Sequence, residues 1–418
     1  MPPGTAARRA ALTVLRGVRD GRRFEDALQS TANGLSDADR RLTHEIAAGV
    51  LRSRAQLDAM LMPLVSVPWH RMAPDLLDLL RIGAYQLQHL DRVPRYAALS
   101  TTVELTKEIA GSRTAGLVNA VLRRLHPMNA ASEPADSVAA LADEHSHPAW
   151  LVERWVKRFG WARTAALLRH NNTRPALTLR PVGVSQDELR GLLRSHGVPF
   201  EDAPFGLGLT VAASRVRDLP GYREGAFVVQ DPAQGRLLQW AAIPDRALVW
   251  DACAAPGGKS VALGRRCRLL ASDRRRDRLR MLRDTVTRTA TDVSLFLADA
   301  RRPPLDAGRI EVALVDAPCS ATGTMARHPD ARWRLTEARI VRAAARQAEI
   351  LAAAAGLLGH DRLLVYLTCS LEEEENERQV EGFLDRHSGF RRDGDDLFVF
   401  PPDAGTDGGY AARLRRIA

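Results

Sequence analysis

Residues 247–260 read "ALVWDACAAPGGKS". An apolar run that ends in an acid and opens onto glycines marks a strand followed by a ligand-binding turn. The last four letters match the end of a P-loop, which needs Gly, four residues, then Gly-Lys-Ser/Thr. Here Cys253 stands where the first glycine belongs, and Pro256 lies inside the turn. The turn around a β-phosphate depends on that glycine's freedom. ATP is therefore the weaker reading and a nucleoside cofactor without a phosphate chain the stronger. Gly257 and Gly258 let the backbone approach such a group closely, ahead of a helix starting near Lys259.

Four further apolar runs follow: "RLLASD" (268–273), "VSLFLAD" (293–299), "IEVALVDAP" (310–318) and "RLLVYLTCS" (362–370). Helical segments separate them. This alternation, from about residue 236, predicts a doubly wound α/β domain with a buried parallel sheet. Ligands in such sheets bind beyond the carboxyl ends of the strands. The chemistry should gather at Asp251, Asp273, Asp299, Asp316 and Cys369. An acid at the end of the second strand, about twenty residues past the loop, hydrogen-bonds ribose hydroxyls. Asp273 takes that place, and Asp299 can meet an adenine amine. One strand-end acid is commonly a helix cap; an ordered series is not. Loop, ribose acid and adenine acid together describe S-adenosylmethionine.

Upstream, residues 8–125 carry helical periodicity: Leu12, Leu15 and Val18, then Leu42, Ile46 and Val50, then Leu57, Leu61 and Leu64, then Leu76, Leu80 and Leu87, then Leu117, Val121 and Leu125. Turn signals such as "GLSDADR" and "DRVPRYA" separate them. Residues 127–145 are small, polar and proline-containing, as a linker is. Beyond them helices such as "PAWLVERWVKRFG" alternate with strands such as "RPALTLRPVGVS". The chain thus divides into a helical domain (1–130), a linker with a small α+β domain (131–235) and the doubly wound domain (236–418).

The net charge is +10, with Lys107, Lys157 and Lys259 the only lysines. Codon bias explains Arg over Lys but not the excess of positive charge, which favours an anionic partner such as nucleic acid. No apolar run is long enough to span a bilayer, and the first residues lack a signal-peptide core. A cytoplasmic chain, folded from near its start and monomeric, is expected. The four cysteines, at 253, 267, 319 and 369, form no Cys-x-x-Cys pair and suggest neither disulfides nor a metal site.

Cys319 and Cys369 both follow strands at the ligand edge. Carbon 5 of a pyrimidine is a poor nucleophile. A thiolate adding at C6 makes C5 enamine-like, so that C5 attacks a methyl sulfonium. A base must then remove the C5 proton so that the thiol can leave. One cysteine suits addition and the other release, while Asp316 can hold the N3 and amine edge of cytosine. A helix after Cys369 would favour its thiolate through the positive end of its dipole, and Glu372 to Glu375, read as its first turn, would oppose it.

With "VQDPAQG", "DACAAPGGKS", "DAPCSATGTMARHPDARW" and "YLTCSLEEEENERQV", the sequence resembles the bacterial ribosomal RNA small subunit methyltransferase B family, of the Sun/Fmu type. The likeness runs upstream through "NNTRPALTLR", "HPAWLVERW" and "GLVNAVLRRL" to cover nearly the whole chain. It implies a NusB-like helical RNA-binding bundle, a small α+β linker domain and a Rossmann-like methyltransferase domain. It implies 5-methylcytosine formation in 16S ribosomal RNA, with S-adenosylmethionine as cofactor; no obligate protein partner is inferred. By that resemblance Cys369 attacks C6 and Cys319 assists release. Cys253, Ala254, Ala255, Pro256, Gly257, Gly258, Lys259, Asp273, Asp299 and Asp316 then meet the cofactor. Cys267 receives no role. The family's "DGFF" near the C-terminus is "DGGY" here. The rival readings are a P-loop NTPase and a non-catalytic RNA-binding protein, which would need neither Cys319 nor Cys369.

Overall fold

The computed structural model describes residues 4–126, 135–212 and 215–418. Part of the expected linker, 127–134, lies outside them. The chain forms two compact units: residues 1–173 with Met325–Arg334, and Arg174–Thr324 with Leu335–Ala418.

The first unit is helical among the described residues. Its helices begin with Thr5–Arg19, Phe24–Thr31, Asp37–Arg52, Arg54–Leu61, Pro74–His89 and Arg95–Arg123, the last broken at Gly111 with φ 82°. Most of the periodic positions are buried, Leu12, Leu15, Ile46, Val50, Leu57, Leu61, Leu80 and Val121 sharing one core, while Leu42, Leu64, Leu76, Leu87 and Leu117 are partly buried against it. Ser36 caps the third helix, its hydroxyl accepting from the Asp39 N–H at 3.1 Å. The helices Ala149–Phe159 and Trp161–Asn171 pack with this unit, although the sequence groups them with the strands that follow.

Residues Met325–Arg334, which follow the Cys319 loop in sequence, also lodge in this unit. Asp330 accepts from the Phe24 N–H at 3.1 Å, and Trp333 Nε1–H donates to the Leu51 carbonyl at 2.7 Å. Arg332 is fully buried, donating to Asn172 Oδ1 at 2.6 Å and to the Asn171 and Ser146 carbonyls at 2.8 and 3.3 Å.

The second unit holds two sheets. The smaller contains β1 (Leu177–Pro181), β2 (Phe200–Asp202), β3 (Leu209–Val211) and β4 (Phe227–Val229), antiparallel in the order β2-β3-β1-β4. The larger contains β5 (Leu248–Asp251), β6 (Arg268–Asp273), β7 (Ser294–Leu297), β8 (Ile310–Asp316), β9 (Leu358–Thr368), β10 (Phe390–Arg392), β11 (Leu397–Val399) and β12 (Gly409–Arg416). Its order is β10-β12-β9-β8-β5-β6-β7, with β11 also on β12. From β7 through β9 the strands are parallel; β12 returns antiparallel to β9. Val249, Trp250, Ala313, Leu314, Leu364 and Val365 are all fully buried, as a sheet covered on both faces requires.

The strand direction of progress reverses at β5, which lies between β6 and β8. This switch opens a crevice at the carboxyl edge, and every acid singled out in the sequence stands at or just beyond that edge. The "DGGY" stretch has a packing reason. A Cβ on Gly409 would lie 2.7 Å from Leu237 Cδ1 and 2.8 Å from the Thr368 carbonyl. Tyr410 supplies the bulk instead: it is buried edge-on to Tyr366, ring centroids 6.5 Å apart, and its hydroxyl donates to Asp396.

Candidate active site

The loop after β5 is held from both sides. Gly257 adopts φ 109°, and a Cβ there would strike Leu282 Cδ1 at 2.7 Å. Gly258 lies against Gln230, whose Nε2 a Cβ would meet at 3.0 Å. Arg180, from β1, donates to the Gly258 carbonyl at 2.8 Å, and burial lowers its guanidinium to about 10. The helix Gly258–Leu263 starts within the loop.

Lys259 is buried and engaged. Its ammonium donates to Gln234 Oε1 at 2.6 Å and to Asp316 Oδ2 at 2.8 Å. A P-loop lysine reaches towards phosphates; this one bridges the sequence "VQDPAQG" to the end of β8. In that sequence Asp231 caps the helix Pro232–Trp240, accepting from the Ala233 N–H at 2.9 Å.

Asp251 is fully buried, with Ser260 Oγ–H donating to its Oδ2 at 2.7 Å. Its Oδ1 has no partner, and neither do buried Gln230 Oε1 and Gln234 Nε2. Burial raises the Asp251 carboxyl to about 7. The unfolded value is about 3.9, so this group favours the fold below that pH. The contribution is lost as pH rises towards about 7. Asp251→Asn removes the ionisation, so the variant should gain stability relative to the parent between pH 5 and pH 8. Urea unfolding at both pH values measures it; an unchanged difference would refute the assignment.

Asp273, at the end of β6, accepts from the Arg275 N–H at 2.9 Å and lies 3.6 Å from Arg278 Nε. Asp299 lies two residues past β7. Arg301 forks onto it and holds its carboxyl at about 2. The Cys253 thiol is pushed up by burial. Ala254 and Ala255 are buried, and the Ala255–Pro256 bond is cis. Cys267 lies at the start of the β6 approach, its thiol donating to the Pro244 carbonyl at 3.4 Å.

The two remaining cysteines meet. Fifty residues apart in sequence, Cys319 Sγ and Cys369 Sγ lie 3.2 Å from one another, and both are free. The Cys319 thiol stands well above its ordinary range, through its bond to Cys369 first and then through burial. Backbone bonds fasten their loops together: the Gly323 N–H donates to the Cys369 carbonyl at 2.9 Å, and the Gly408 N–H to the Gly323 carbonyl at 2.8 Å. A Cβ on Gly323 would sit 2.9 Å from the Cys369 carbonyl, so only glycine permits the approach.

One expectation is corrected. No helix begins at Cys369. The chain runs through a loop and a 3-10 turn, Glu373–Glu375, before the helix Glu377–Arg386. Glu375 is no exposed first-turn acid: it is buried beneath both cysteine loops. Nothing in "LEEEENE" sets it apart from its neighbours, so the sequence reading missed it. Gln230 and Gln234 were missed likewise, although "VQDPAQG" contains them.

A doubly wound sheet with an antiparallel extension, a glycine loop after its first strand and acids along its carboxyl edge defines a methyltransferase domain. Residues 239–415 match the family described as 16S rRNA methyltransferase RsmB/F, residues 5–127 the NusB family, and residues 147–214 the ferredoxin-like domain of RsmF/B-like methyltransferases. A probable ribosomal RNA small subunit methyltransferase B of Synechocystis sp. is 33% identical over 92% of this chain and 90% of its own length. The ribosomal RNA small subunit methyltransferase B of Citrobacter koseri is 34% identical over 90% and 89%. The chain belongs to the ribosomal RNA small subunit methyltransferase B family. Among solved structures, PH0851 superposes with a TM-score of 0.82 at 23% identity, covering 100% of this chain and 99% of its own. NSun6 from Pyrococcus horikoshii, solved with SFG, covers 65% of this chain and 98% of its own, with a TM-score of 0.60 at 18% identity. Among the described residues, no helix is long and apolar enough to cross a membrane.

Proposed function

We propose that this protein methylates C5 of a cytosine in 16S ribosomal RNA, with Cys369 as nucleophile and Cys319 as the group that serves release. The observation that carries this reading is the pair of free thiols, 3.2 Å apart at the carboxyl edge. A structural role needs no such pair, and a binding module needs neither cysteine. The cytoplasm is the proposed location and the monomer the working form.

The loop fits a nucleoside cofactor. Its glycines let the backbone pack against Leu282 and Gln230, and buried polar atoms of Asp251, Gln230 and Gln234 stand without partners. S-adenosylmethionine, when bound, supplies the electrophilic methyl group. Asp273 would hold the ribose, Asp299 the adenine, and the loop from Cys253 to Lys259 the remainder.

Asp316 orients the cytosine by accepting from its exocyclic amine, while Lys259 holds the carboxylate's Oδ2. Cys369 adds through sulfur to C6, and the electron pair moves to C5, which accepts the methyl group. Cys369 gives up its thiol proton to solvent before it attacks, while the contact with Cys369 and burial oppose ionisation of Cys319. Once Cys369 sulfur is bound to C6, its contact with the Cys319 thiol is gone; Cys319, ionised at that stage, takes the C5 proton, the C5–C6 double bond re-forms and Cys369 leaves as a thiolate. The target base must leave its stack to reach this pair, so single-stranded or loop RNA is expected.

Incubating the protein with methyl-labelled cofactor and 16S RNA tests the reading. Label should appear at C5 of cytosine, located by bisulfite sequencing. Label on another atom, or none, would overturn it. Asp273→Ala should weaken S-adenosylmethionine binding by about 1–3 kcal/mol through lost hydrogen bonds to ribose. Calorimetry measures this, and equal affinity in the variant would remove Asp273 from the cofactor site.

A further inference from the structure

Four hydrogen bonds converge on the Glu375 carboxylate. Its Oε1 accepts from the Ser320 N–H at 2.8 Å and from Gln347 Nε2–H at 3.0 Å. Its Oε2 accepts from the Ser370 hydroxyl at 2.5 Å and from the Ser320 hydroxyl. Ser320 follows Cys319 and Ser370 follows Cys369, so one side chain grips the residue after each thiol. The two hydroxyls also lie 3.0 Å apart. Gln347, buried in the helix Glu337–Gly356, further donates to the Pro318 carbonyl at 3.1 Å. The Tyr366 hydroxyl donates to Glu375's own carbonyl at 2.6 Å. A fully buried carboxylate is costly unless its hydrogen bonds are made, and here all of the donors belong to the cysteine loops or their supports.

We propose that Glu375 is a positioning residue for methyl transfer: it clamps the Cys319 and Cys369 loops together and keeps the two thiols in contact. This inference rests on the cysteine mechanism above. The carboxylate has a second consequence. Its charge adds to the contact with Cys369 and to burial in opposing ionisation of Cys319. The titratable groups that face the pair are Glu375 and Tyr366, with neutral Gln347 behind them. Burial raises the Glu375 carboxyl itself, yet four donors aimed at it favour the charged form.

Glu375→Gln keeps the size and removes the charge. Its kcat should fall roughly ten- to hundredfold, since small misplacements of reacting groups act on that scale, with KM for RNA unchanged. Alkylation of Cys319 by iodoacetamide, followed against pH in the Cys369→Ala background, needs neither RNA nor cofactor. There Glu375→Gln should shift the Cys319 midpoint to lower pH. A brace that only stabilised the fold would leave that midpoint in place. Ser370→Ala, which retains Glu375 but cuts one arm of the clamp, should lose a smaller part of kcat; it carries the test if Glu375→Gln does not fold. Unchanged kcat together with an unmoved midpoint would overturn the proposal. A moved midpoint in a protein whose parent methylates no cytosine would fault the reaction assignment and not the clamp.

Discussion

Cys369→Ala should lose methyl transfer by roughly 10⁴ or more, the scale on which removal of a nucleophile acts. Cys319→Ala should behave differently. It keeps the attacking thiol, so addition and methylation proceed, and loss of the C5 proton then slows. The methylated adduct should persist as a protein–RNA band on denaturing electrophoresis. That band should carry label from methyl-labelled cofactor, and be absent from Cys369→Ala and from the double variant. A stable band in Cys369→Ala instead would exchange the two roles. Normal methylation by both single variants would end the covalent mechanism. The 3.2 Å contact makes the experiment sharp, because neither thiol can be altered without the other registering it.

Arg332→Leu should destabilise the first unit by about 3 kcal/mol, because it strands buried acceptors that cost about 1–3 kcal/mol apiece. Two effects compete. Burial lowers the Arg332 guanidinium to about 9, so the charge is itself costly there, and leucine removes that cost. Its partners, however, are the Asn171 and Ser146 carbonyls and Asn172 Oδ1, and they remain behind. Neighbouring His147 cannot take over as a cation, since burial, the larger cause, keeps it well below its ordinary range even without Arg332. Removing one member of a buried polar network while leaving the rest is the unfavourable case. Urea unfolding followed by tryptophan fluorescence measures the loss. A change within 0.5 kcal/mol, the usual range for surface substitutions, would show that relief of the buried charge offsets the stranded acceptors.

The parallel strands were legible because each is a short apolar run with a chemical group at one end. Burial on both faces demands the first, and a ligand edge demands the second. The helical bundle was legible for a similar reason: Leu12 and Leu15, Ile46 and Val50, and Leu57 and Leu61 are each spaced as one buried helix face requires. The cofactor loop could be set apart from a P-loop by two residues, Cys253 and Pro256, because backbone conformation there depends on residue type. These are local constraints, and a sequence states local constraints directly.

What the sequence left open depends on where irregular loops carry their side chains. "CSATGT" and "TCSLEEEENE" each show a cysteine, but their contact is made by Gly323 against the Cys369 carbonyl and by Glu375 beneath both serines. One glutamate among four in a row has no local signal; only packing turns it inward. Lys259 looks like a phosphate ligand until Gln234 and Asp316 are seen to hold it. The residues from 325 to 334 belong by sequence to the doubly wound half, yet they lodge among the helices, because Arg332 and Trp333 find there the carbonyls they must satisfy once buried. Periodicity and residue type therefore determined the elements and the edge where chemistry gathers. Tertiary structure alone decided which groups touch, since a buried polar atom takes its partner from whatever the fold brings within reach.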